Sequence, residues 1–215
     1  VKANGGVVNS LAFNDAATMM QFQQFQETIA LLKARGYNDL VKHACATSGA
    51  IRFPWAHFDM VRVGLGLYGL YPHTSLAAQL PLIPAISLVT RVVDVREHPR
   101  GATLGYGATY VVEREGFRVA ILPLGYHDGL PWALSNRGVV MIHGKRAPMV
   151  GRVSMDSVMV DVSDIPEAVK GADALVFGAH GGYELRPEEV ARDAGTIVYE
   201  LLARIGPRVQ RIFRH

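Results

Sequence analysis

A change of pattern near residue 83 constrains this chain more than any other feature. Before it, apolar strand-like runs alternate with helical segments; after it, short strands of alternating polarity follow one another between glycine turns. That switch predicts two differently built units, an α/β part and then a mainly antiparallel β domain. In the first part, residues 7–13 form an apolar run. Asn14-Asp15 then open a helix with Met19, Phe22, Phe25, Ile29 and Leu32 at spacings of three or four, closed by Gly36. Residues 40–45 read as the next strand, Thr47-Ser48-Gly49 as a short helix cut off by Pro54, and residues 60–69 as a third apolar segment ending in glycines. In the second part, strands are expected over 87–95, 117–124, 139–142, 157–162 and 174–177, followed by a helix with Pro187 at its first position and a last helix around 196–205. The boundary falls between Ser75 and Pro84, giving domains of 1–80 and 81–215.

Composition narrows the class. With 49% apolar and 19% charged residues among 215, the chain can bury a core and is not disordered as its main state. Its 22 Lys+Arg against 19 Asp+Glu give a net charge of only +3, spread along the chain, so no nucleic-acid partner is expected. The single cysteine, Cys45, forms no internal disulfide and fits a reducing, cytoplasmic setting. No apolar run is long enough to span a membrane. A start at Val1 rather than Met implies that residues precede it in the gene product.

Several clusters could carry chemistry. In Arg62-Val63-Gly64-Leu65-Gly66, a strand end followed by glycines exposes backbone N–H groups that suit a phosphate; a plain glycine turn beside a solvated arginine is the alternative. His43 and Ser48 lie at the end of the preceding strand, where open α/β sheets and barrels bind ligands, although each alone is as readily structural. Gly105-Tyr106-Gly107 leaves a phenol with little bulk around it, either for a ligand or to fill a hairpin. Gly125-Tyr126-His127-Asp128-Gly129 and Gly151-Arg152-Val153-Ser154-Met155-Asp156 are two polar, glycine-opened turns that ordinary turn chemistry would also explain. No spacing matches a zinc or calcium site, so no metal is expected.

Taken in order, Val1-Lys2-Ala3-Asn4, Ser48-Gly49, residues 56–69, Gly105-Tyr106-Gly107-Ala108-Thr109-Tyr110, the turns at 125–129 and 151–156, and Tyr199-Glu200 resemble the alanine racemases. The resemblance runs through the whole chain. It implies a TIM-type (β/α) barrel holding pyridoxal phosphate, here incomplete, followed by a β domain, in a homodimer with shared sites. It further implies interconversion of L- and D-alanine, supplying D-alanine for peptidoglycan. By motif, Lys2 would be the Schiff-base lysine and Tyr106, from the partner subunit, the base on the opposite face. Arg62 matches the arginine facing the pyridine nitrogen, with His43 orienting it. Ser48, the Gly64 and Leu65 amides and the Tyr199 hydroxyl match the phosphate set; Met155 and Asp156 match the substrate-carboxylate side, and Tyr126 the approach to it. Lysine and tyrosine ordinarily titrate near 10, so two such bases require an enclosed, cationic site.

The chain departs from the family in one respect. About 80 residues precede the β domain, whereas a closed barrel takes roughly 250. Gly5-Gly6 reads as a junction, the ring-stacking histidine position falls on Ser10, and the segment with the family's substrate arginine has no counterpart. Two other readings therefore stand beside the racemase: an inactive remnant serving as a dimerisation module, and a pyridoxal-phosphate decarboxylase of the same fold type.

Overall fold

The computed structural model describes residues 15–213. They divide into two compact units, one ending at Ala85 and the other beginning at Ile86. The expected strand over residues 7–13, together with Lys2, Gly5-Gly6 and Ser10, lies outside the described residues.

The first unit opens with helix α1 (Asp15–Ala34), which contains neither proline nor glycine and has Lys33 in its last turn. Gly36, at φ +89°, ends it: the Gly36 N–H donates to the Lys33 carbonyl and the Tyr37 N–H to the Leu32 carbonyl. Phe22 and Phe25 face the loop after the next helix, Phe22 meeting Trp55 edge-on at 4.5 Å and Phe25 meeting Phe58 at 5.2 Å. Strand β1 (His43–Ala46) runs directly into helix α2 (Thr47–Arg52), and Pro54 begins the turn beyond it. Strand β2 (Met60–Arg62) pairs with β1 in parallel, as the strand-helix alternation requires. Strand β1 starts later than the expected run over 40–45. Leu40 and Val41 are exposed, and before His43 the chain is held instead by Lys42, whose N–H and ammonium both reach the Asp59 carboxylate. A short 3-10 helix, Leu65–Tyr68, follows β2.

The second unit is antiparallel throughout its named strands. Strands β3 (Leu88–Arg91) and β4 (Asp94–His98) are followed by the small pair β5 (Thr103–Leu104) and β6 (Tyr110–Val111). Then come β7 (Phe117–Leu122), β8 (Val139–Ile142), β9 (Lys145–Pro148), β10 (Val158–Asp161), β11 (Asp173–His180) and β12 (Tyr183–Leu185). One sheet has the order β10-β7-β4; another runs β12-β11-β8-β9, with β3 also on β11. Residues 87–95, which read as one strand, are two because the chain changes sheets there. The Val92 N–H bonds to Ala172 beside β11, and the next N–H, of Val93, bonds to Ile121 in β7. Leu104, Val112, Phe117, Val119 and Val150 form a buried cluster of this unit, against which Tyr110 and Met159 pack. Helix α3 (Pro187–Asp193) has proline at its start and Glu188 and Glu189 in its first turn; helix α4 (Val198–Ala203) is the last. Among the described residues no helix is long and apolar enough to cross a membrane.

Candidate active site

Parallel pairing aligns Ala46 with Arg62, so the residues after β1 and after β2 leave the sheet at the same end. The Arg62 side chain turns back along the sheet. Its Nη2 donates to the Ala44 carbonyl at 3.0 Å, and Nη1 reaches the His43 carbonyl at 3.3 Å and the His43 ring Nδ1. A guanidinium has only donors, so His43 Nδ1 accepts and the ring carries its proton on Nε2. His43 begins β1 rather than ending it, and meets Arg62 because the guanidinium spans the strand. Beneath them Cys45 is buried and donates to the Ala56 carbonyl. Burial pushes its thiol up, with Arg62 pulling weakly the other way.

Beyond the strand ends, Thr47 rather than Ser48 faces the glycine turn. The Thr47 Oγ1 accepts from the Gly64 N–H at 3.2 Å and the Gly66 N–H at 3.3 Å. Any Cβ on Gly66 would press on Thr47 Cγ2 at 3.0 Å. The Gly64 amide is thus partly engaged, whereas the Leu65 N–H has no partner among the described residues. Ser48 is fully buried, and its hydroxyl has no hydrogen-bond partner among the described residues. Sequence reasoning missed Thr47. Adjacent hydroxyls at a helix start differ in direction by a third of a turn, and only the register of α2 decides between them.

In the second unit, Tyr106 stands on the turn between β5 and β6, 74% exposed, with Gly105 at φ +74° and Gly107 at φ +72°. Both positive φ values favour glycine, and at Gly105 a Cβ would also come within 2.9 Å of the Arg152 backbone nitrogen. The turn carrying Tyr126 lies on the turn carrying Met155. The Tyr126 N–H donates to the Ser154 carbonyl at 3.0 Å and the His127 N–H to the Met155 carbonyl at 3.1 Å. The Met155 N–H makes no bond among the described residues, while the Asp156 carboxylate is held by Arg208 at 2.8 Å. A cleft of 560 Å³ opens between the Tyr126 turn, Trp132 and the Thr196, Glu200 and Arg204 side. Tyr199, in the first turn of α4, is 36% exposed, and the partial burial of its phenol raises it above the usual tyrosine range. The candidate residues therefore fall into two groups: His43, Ser48, Arg62, Gly64 and Leu65 in the first unit, and Tyr106, Tyr126, Met155, Asp156 and Tyr199 in the second.

A parallel β/α unit with an arginine held at its strand ends, followed by an antiparallel β domain, defines a class, and the comparisons identify it. Residues 5–72 match the alanine racemase N-terminal domain and residues 85–213 the alanine racemase C-terminal domain. The chain belongs to the alanine racemase family. It is 39% identical to the alanine racemase of Leptospira interrogans over 203 residues, which are 91% of this chain and 52% of the relative. Alanine racemase 2 of Bacillus subtilis is 41% identical over 202 residues, 91% of this chain and 50% of its own. The solved alanine racemase of Streptomyces lavendulae superposes with a TM-score of 0.88 at 34% identity, covering 94% of this chain and 53% of that one. The Bartonella henselae enzyme, solved with covalently bound pyridoxal phosphate, gives a TM-score of 0.81 at 29% identity, covering 94% and 53%. The chain spans about half the length of the curated relatives it matches.

Proposed function

We propose that this chain is a pyridoxal-phosphate-dependent racemase of alanine, with residues 1–80 forming an incomplete barrel domain, residues 81–215 the β domain, and a second copy of the chain sharing its sites. The observation that carries this reading is the Arg62 guanidinium fixed by His43 and two carbonyls beside a hydroxyl-and-glycine turn. The residues fit the cofactor: among the described residues neither the buried Ser48 hydroxyl nor the Leu65 amide has a partner, and both suit phosphate oxygens. When bound, pyridoxal phosphate supplies an electron sink that makes the Cα proton of an amino acid removable.

The remaining chemistry belongs to the protein. Arg62 donates a hydrogen bond but does not release its proton, so it would hold the ring nitrogen without protonating it, and His43 fixes its direction. Thr47, Ser48, Gly64 and Leu65 would hold the phosphate, with the Tyr199 phenol as a further donor. Racemisation removes a proton on one face and returns it on the other, which calls for two bases. Lys2 and Tyr106 are assigned to them. A phenol serves as a base where nearby positive charge, unscreened by water, favours its ionised form, and Tyr106 is 74% exposed in the single chain, which supports a second copy as its cover. The Met155 N–H, free among the described residues, would take the substrate carboxylate, and Tyr126 would line the approach. The test is incubation of the chain with pyridoxal phosphate, borohydride reduction and mass analysis. The expected result is one cofactor on Lys2, absent in Lys2→Ala, with Cα-proton exchange of both alanine enantiomers that Tyr106→Phe abolishes. No cofactor adduct would leave only the dimerisation-module reading.

A further inference from the structure

Arg208 joins the two turns that carry Tyr126 and Met155, and we infer that it is a positioning residue for the substrate-carboxylate side of the site. The inference rests on the racemase reading. The Asp128 side chain is only 7% exposed, and among the described residues its bonds are to Gly125 and Arg208. Its Oδ2 accepts the Gly125 N–H at 2.9 Å, while Arg208 grips both oxygens, Nε to Oδ1 at 3.0 Å and Nη2 to Oδ2 at 3.0 Å. The same Nη2 reaches Asp156 Oδ1 at 2.8 Å. One planar guanidinium therefore spans the residue two places after Tyr126 and the residue next to Met155.

The surrounding backbone gives this grip its leverage. The Gly206 N–H donates to the Asp128 carbonyl at 2.9 Å, and a Cβ on Gly206 would come within 2.6 Å of the His127 carbonyl. On its other side the same turn hangs from the Ser154 and Met155 carbonyls through the Tyr126 and His127 N–H groups. Neither turn belongs to a β-ladder; Ser154 and Ser157 close the second turn on itself, and the bonds named above are what tie it to the turn carrying Tyr126. Charge adds a second effect. Asp128 and Asp156 carry two negative charges beside the place proposed for a substrate carboxylate, and Arg208 cancels one. Loss of the guanidinium would both loosen the turns and repel an anionic substrate. A lysine would restore the charge without the two-pronged grip.

Amide exchange by NMR and steady-state racemisation on the full chain, compared for the unmutated protein, Arg208→Ala and Arg208→Lys, test this. In Arg208→Ala the Gly125, Tyr126 and His127 amides are expected to exchange about tenfold faster or more, with β7 and β10 unchanged. KM for alanine should rise about tenfold while kcat stays within about twofold, and Arg208→Lys should recover part of the KM but less of the protection. If Arg208→Ala does not fold, judged by near-ultraviolet circular dichroism, Arg208→Lys is read by the same two criteria. Unchanged exchange at 125–127 would overturn the inference, as would released amides with an unchanged KM. An unmutated chain that binds cofactor but racemises nothing would defeat the functional reading alone, and the exchange comparison would still decide whether Arg208 holds the turns.

Discussion

Two neighbouring hydroxyls show how much a single residue's direction decides. Thr47 and Ser48 both offer a hydroxyl, yet Thr47 serves the Gly64 and Gly66 amides and Ser48 is buried without a partner among the described residues. An unsatisfied buried hydroxyl costs about 1–3 kcal/mol, so Ser48→Ala should leave the cofactor-free protein as stable or more stable by about 1 kcal/mol. With pyridoxal phosphate the same variant should bind about tenfold more weakly, because the hydroxyl has found its partner. Thermal melts without cofactor and a spectroscopic titration with it check the pair of effects; an unchanged affinity would remove Ser48 from the phosphate set. Arg62 and His43 were legible at this scale because the segment 62–66 and the lone strand histidine stand out in the sequence. Thr47 was not, because nothing in a linear sequence records which side chain of a helix start faces a glycine turn.

At the scale of elements, β11 is anchored near its first residue by charge. Bonds from His180 first and then Arg91 hold the Asp173 carboxyl below its ordinary range. As pH falls through the ordinary carboxylate range, the unfolded chain takes up this proton before the folded one does. The stability contributed by Asp173 is therefore full above about pH 4 and is lost below it. Denaturant melts at pH 6 and pH 3 should show a smaller acid loss in Asp173→Asn than in the unmutated chain. A second constraint sits after the 3-10 helix 65–68, where Gly69 adopts φ +69° and a Cβ would fall on the Ile83 carbonyl. Gly69→Ala should cost at least about 2 kcal/mol in the first unit, read from the unfolding midpoint. Strand positions were largely legible, since alternation is local: residues 139–142 and 158–161 fall where the pattern puts them. The division of 87–95 between two sheets was not, because Val92 and Val93 look alike in sequence and differ only in which distant strand each one meets.

For the whole molecule, the proposed sharing of sites between copies gives the most discriminating expectation. If Lys2 and Tyr106 act together but come from different copies, neither Lys2→Ala nor Tyr106→Phe should racemise alone. Randomly mixed, half of the dimers would contain one of each, and each of those would hold one intact site. Recovery of about a quarter of the unmutated activity is then expected after co-refolding, and none if both bases come from one chain. The sequence by itself determined the family, the order of the two units and most strand and helix positions, because periodicity, glycine turns and short motifs are written in neighbouring residues. Only the tertiary structure decided that Thr47 meets the glycine turn and that Arg208 clamps Asp128 and Asp156, 80 and 52 positions away. Bonds between distant residues leave no local trace, since any exposed arginine reads alike until the fold brings its partners within 3 Å.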